Sequence, residues 1–212
     1  MVVHRSHVLV FALTLALPVA AAAASAGWID VPVRVYNTSN LQYDLVDRAL
    51  VVAEGALAPA AVYVDWRRCP PERIDIPETT VRSPMCARPL RAGELAVRVV
   101  PMPVPRGYSG TLPLGDALVN RNSGAGVLAT VYADRVIWLA KAAGTDLTAL
   151  LGRAIAHELG HLLMGTSGHG LQGGLMRAVW TREELRWPRP EDWQLATSDV
   201  ARIRSRAIAD IG

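Results

Sequence analysis

Apolar and polar side chains alternate over residues 29–36, with Ile29, Val31, Val33 and Val35 set against Asp30, Pro32 and Arg34. A period of two predicts a strand with one buried face. The rhythm then changes. Leu41, Leu45, Ala49, Val52 and Ala56 recur every three or four positions, the mark of a helix, and Ser39 with Gln42 fits a capping box at its start. Residues 61–66 and 94–100 read as further strands, the latter with Leu95, Val97 and Val99 on one side. Strand, helix and strand in that order predict a right-handed crossover and at least part of a parallel sheet. Residues 101–126 are rich in glycine and proline, with a short apolar piece at 117–119, which suits a loop and an edge strand. Residues 127–132 can form another strand, and 134–143 a short helix stopped by Gly144. Thr145 or Asp146 then caps the strongest helix, Leu147–Met164, with Gly165 as its stop. Ser198 is placed to cap a closing helix whose apolar face is Ile203, Ala207 and Ile208. The fold class expected is α/β, and no repeat, heptad seam or phosphate-binding glycine loop competes with it.

The first 26 residues stand apart. Arg5 precedes an apolar run over 8–24, and Ala24-Ser25-Ala26 supplies the small-residue pattern of a signal-peptidase site. A cleaved signal peptide over 1–26 is expected, with an uncleaved tether as the alternative. The remaining 27–212 suits a single secreted or periplasmic domain without membrane attachment once the signal is removed. A net charge of +3 over 212 residues, with no block of like charge, points away from nucleic acid. In an oxidising compartment the two cysteines, Cys69 and Cys86, most simply form one disulfide. The other use of an upstream cysteine would be to cap a metal. Asn37-Thr38-Ser39 is formally a glycosylation sequon, a tripeptide common by chance.

Histidine usage carries the chemistry. Beyond the signal the chain has only His157, His161 and His169, all in one short stretch. In His157-Glu158-Leu159-Gly160-His161 the two imidazoles are four apart, on one helix face, and can converge on one Zn²⁺. Glu158 projects about 100° around the helix from His157, outside the first shell but within reach of a water at the metal, where a general base belongs. Gly165 and the small residues Thr166-Ser167-Gly168 let the chain turn back and bring His169 in as third ligand. A later carboxylate, Glu183 or Glu184, is the alternative third ligand. Three protein ligands leave one position open, the arrangement of a catalytic site. Met176 can equally be core, and Trp180, Trp187 and Trp193 read as packing residues.

The helix motif, Gly165, His169 and Gly174-Leu175-Met176 together resemble the active-site segment of metzincin zinc endopeptidases, matrixins in particular. Gly165 stands one place later than the family glycine, and His169 follows His161 by eight residues where the family has six. The resemblance implies a zincin fold: a twisted mixed sheet and active-site helix in an N-terminal lobe (27–165), then a small C-terminal lobe (166–212), with the metal in the cleft between. It implies one catalytic zinc held by His157, His161 and His169, Glu158 as base, and Met176 beneath the metal in a Met-turn. The substrate, a protein or peptide, would lie extended along an edge strand within 110–132. Gly115-Asp116-Ala117 resembles the start of a matrixin metal-binding strand, but the His and Asp residues that follow it there are missing, so neither a structural zinc nor calcium is expected. No tyrosine follows Met176 closely, so no tyrosine ligand is expected either. The function implied is a monomeric secreted zinc endopeptidase; the rival is a non-catalytic secreted protein that binds zinc to hold its fold.

Overall fold

A computed structural model describes residues 27–70, 84–169 and 173–209; the signal expected over 1–26 and the side chain of Ile208 lie outside the described set. Val31, Val33 and Val35 are buried on β1 (Ile29–Asn37), which pairs in parallel with β2 (Val62–Cys69) on one side and β3 (Leu95–Val100) on the other. Beyond β3 lies β5 (Gly126–Tyr132), also parallel, and beyond it β4 (Gly115–Val119), antiparallel. The order β2-β1-β3-β5-β4 makes the mixed α/β sheet expected, with β4 at one edge. Val62, Val64, Val97, Val99, Ala129 and Val131 join the β1 valines in one core.

That core is closed by α1 (Tyr43–Leu57), which packs along α4 (Leu147–Met164), while α4 in turn contacts β4, β5 and α3 (Ala133–Ala143). The buried stripe of α1 is Val46, Ala49, Leu50, Ala53 and Leu57, so the expected face is rotated by about one position. The apolar arc spans both sets, and only packing against α4 selects its centre. The Ser39 capping box does not form. Asn37 is buried instead, its Oδ1 accepts from the Ser39 amide and hydroxyl, and its Nδ2 donates to Leu41 O. The local side-chain bonds compete successfully for that turn, and α1 starts only at Tyr43 behind an uncapping Gln42. They also occupy the amide that the sequon would present.

Of the two caps considered for α4, Asp146 serves: its carboxylate accepts from Ala149 N at 2.7 Å. Gly165 ends the helix at φ +64°, a left-handed conformation suited to glycine. The closing helix α6 (Thr197–Ala209) begins one residue before Ser198, and the Asp199 carboxylate, not Ser198, meets the free amide of Ala196. The acidic start of α5 (Arg182–Arg186) follows a Thr181 capping box, whereas the short α2 (Pro84–Ala87) was not legible as a periodic segment.

One expectation for β1 is overturned. Arg34 falls on the polar side of the alternation, yet only 2% of it is exposed. β1 is central, and the chain around residues 88–94 covers that face. Arg34 donates to Arg88 O at 2.6 Å, Pro89 O at 3.1 Å and Glu94 Oε2 at 2.6 Å; Arg67 reaches Glu94 Oε1 at 2.9 Å. The Arg34 hydrogen bond, against the cost of burial, holds the Glu94 carboxyl down to about 2. Nearby the Cys69–Cys86 disulfide ties α2 to the end of β2. No helix among the described residues is long and apolar enough to cross a membrane.

Candidate metal centre

Helix periodicity puts His157 and His161 on the same side of α4, facing away from α1, and both are buried. Gly165 turns the chain, and His169 comes back over them. The three Nε2 atoms form a near-equilateral triangle: 3.1 Å between His157 and His161, 3.2 Å between His157 and His169, and 3.3 Å between His161 and His169. Donors about 2.0–2.1 Å from one ion at tetrahedral angles lie about 3.3–3.4 Å apart, so the triangle has the size of a zinc site.

The hydrogen bonds behind the rings support that fit. His157 Nδ1 donates to Leu175 O at 2.8 Å, and His161 Nδ1 donates to Thr166 O at 2.8 Å. Carbonyl oxygens only accept, so both rings carry their proton on Nδ1 and turn an Nε2 lone pair inward. Lone pairs so close together repel unless a cation shares them. Burial lowers all three imidazole pKa values, that of His157 to about 4, so neutral rings face the centre at physiological pH. The donor set fits zinc.

Glu158 leaves α4 on the adjacent side, toward β4, and is 6% exposed. Burial first, and then the charge of Asp116, push its carboxyl up to about 8. A divalent ion in the triangle would oppose that shift. Asp116 itself accepts the Tyr132 hydroxyl, and this bond together with burial pushes the phenol up to about 12. The approach of Glu158 depends on Gly115. A Cβ there would stand 2.4 Å from Thr130 O and 2.7 Å from Glu158 Oε1, below any tolerable contact. Gly115→Ala is therefore expected to cost about 1–3 kcal/mol of stability by overpacking and to displace the carboxylate. Thermal midpoints of the two proteins measure that cost, and an unchanged midpoint would show that Glu158 yields the space without strain.

Met176 lies in a turn closed by Arg177 N donating to Gly174 O at 3.3 Å. Its sulfur sits where a Gly160 side chain would be, 2.6 Å from the Cβ position, so the turn packs against α4. The turn also supplies Leu175 O to His157, and Arg177 pins it by donating to Gly174 O, Glu184 and Asp192. Glu184 is thereby committed: besides Arg177 it accepts from Thr181 N and Oγ1 as part of the α5 cap. Neither Glu184 nor the exposed Glu183 joins the cluster of potential ligands, which among the described residues consists of the three histidines.

A cleft of about 910 Å³ opens over this centre, walled by β4 and its preceding loop on one side and by residues 177–182 on the other. The tryptophans take three different roles. Trp180 stands edge-on to His157, with ring centroids 5.6 Å apart, and lines the cleft. Trp193 packs on Trp180 and carries Arg153 over its face at 3.7 Å. Trp187 is 75% exposed, contrary to the packing role expected of it. The sequence did not reveal the closeness of Gly115 to Glu158, the roles of Gly160 and Arg177, or the contact of Trp180 with His157. Each depends on a neighbour distant in the chain, and none carries a local signal.

No protein-family model matches the chain, and no curated protein sequence matches it. Among solved structures it is similar to the archaemetzincin of Methanopyrus kandleri, at 14% identity over 87% of this chain and 98% of that one, with a TM-score of 0.47.

Proposed function

We propose that the chain is a secreted zinc endopeptidase in which His157, His161 and His169 hold one catalytic ion and Glu158 handles the proton. The observation that carries this reading is the triangle of inward-turned Nε2 atoms, 3.1–3.3 Å apart, on the floor of a cleft bordered by an edge strand. Bound zinc supplies Lewis acidity that polarises a peptide carbonyl and lowers the pKa of a water molecule. Glu158 would accept a proton from the attacking water and would deliver it to the departing amine nitrogen. Met176 supports the ligand-bearing helix from below. β4 pairs on one side only among the described residues, so its outer edge can bond an extended peptide backbone. In this reading 27–165 and 166–212 are the two lobes of one monomeric catalytic domain, and the signal over 1–26 is removed. The disulfide supports an oxidising compartment.

The test joins metal analysis to hydrolysis. One zinc per chain and casein cleavage abolished by a chelator are expected. His169→Ala should lose zinc, while Glu183→Ala and Glu184→Ala should keep it. Zinc bound without any hydrolysis would favour the structural role instead.

A further inference from the structure

Along the cleft the charges are unevenly committed. Arg177 spends its donors on Gly174 O, Glu184 and Asp192, and Asp116 receives the Tyr132 hydroxyl. Arg182 is different. It lines the cleft with its guanidinium carbon 5.3 Å from the Trp138 ring centroid, and among the described residues it forms no ion pair. The same cleft is also lined by the apolar residues Pro113, Trp138, Leu139 and Val179. Arg182 is itself exposed, so its attraction for an anion rests on an uncommitted guanidinium fork seated against the indole and not on burial. Trp180 stands edge-on to His157, and Arg182, two residues later, lines the same wall of the cleft.

We propose that Arg182 is a specificity-determining residue that draws a substrate carboxylate onto the cleft wall beside Trp138. The proposal rests on the peptidase reading of the site. The planar guanidinium fork matches a carboxylate, whether it comes from an aspartate or glutamate side chain or from the end of a peptide. The competing preference, for aliphatic or aromatic side chains, would follow if the apolar wall alone selected the substrate.

Binding tests this without requiring turnover. The Glu158→Gln protein is titrated with end-capped alanine octapeptides carrying one central Asp, Asn, Leu or Lys, and with an alanine octapeptide whose C-terminus is free. Quenching of tryptophan fluorescence reports occupancy. The capped Asp peptide or the free-acid peptide is expected to bind about three- to fivefold more tightly than the capped Asn peptide, the upper range for an exposed ion pair. Which of the two shows the gain identifies the source of the carboxylate. Arg182→Gln should bring that ratio close to one, Arg182→Lys should restore part of it, and Arg182→Glu should favour the Lys peptide. Equal binding of all acidic and neutral peptides, a preference for Leu alone, or a ratio that survives Arg182→Gln would overturn the proposal. Failure of the peptidase reading looks different: the wild-type protein would cleave none of these peptides while the binding ratio persisted.

Discussion

Replacing Glu158 by glutamine is expected to reduce peptide hydrolysis by about a hundredfold to ten-thousandfold while leaving one zinc per chain, the range typical of losing a general base. The substitution keeps the shape of a side chain that is 6% exposed and packed against Gly115, so neither a cavity nor a clash is introduced. The three imidazoles keep their partners, because Leu175 O and Thr166 O orient His157 and His161 independently of residue 158. Amide and carboxylate differ in one respect that matters here: the amide cannot accept a proton from water. Turnover of a casein-derived peptide beside zinc stoichiometry separates the possible outcomes. Retained turnover would remove the general-base role, and lost zinc would make Glu158 a ligand.

On the opposite face of the sheet, Glu94→Gln is expected to destabilise the fold by about 3–5 kcal/mol, the usual cost of breaking a buried ion pair from one side. That is a large fraction of the stability of a domain this size. Glu94 is 1% exposed and accepts from Arg34, Arg67 and the Arg91 amide, so glutamine would leave a buried guanidinium facing a neutral group. The sign of the pH dependence follows from the carboxyl being held at about 2 against an ordinary 4.5. A depressed folded-state pKa contributes stability that is fully present above about 4.5 and is lost as pH falls toward 2. Urea midpoints should therefore differ strongly between wild type and variant at pH 7 and converge as the pH approaches 2. A gap independent of pH would mean that Glu94 acts through packing, not charge. Replacing Arg34 and Glu94 together by Met and Leu should cost less than either single change, since no buried charge is left alone and the more exposed Arg67 keeps Asp65 as its partner.

The two features behind these predictions differed in how visible they were beforehand. Glu158 was legible because its relation to His157 and His161 is local: five consecutive residues and a 3.6-residue turn define their directions. His169 was only partly legible. The Gly165 turn permits a return, but the choice between His169 and Glu183 or Glu184 depends on how the 166–169 segment and α5 settle. The structure gathers His169 with the helix pair and commits Glu184 to Thr181 and Arg177. Arg34 was misread because alternation reports which residues share a face, not whether the second face is covered. In β1 it is covered, by a segment more than fifty residues away in sequence.

The amino-acid sequence by itself determined the order of the main strands and helices, the bounds of α4, the α/β class and the spacing that puts two imidazoles and a carboxylate on neighbouring sides of one helix. All of these rest on short-range periodicity and on stop signals such as Gly165. The tertiary structure alone decided the centre of the buried stripe on α1, the burial of Arg34 against Glu94, the closeness of Gly115 to Glu158 and of Met176 to Gly160, and the place of Arg182 in the cleft. Those depend on surfaces that meet only after the chain has closed on itself, where steric exclusion and the cost of an unpaired buried charge act between residues that no local pattern links.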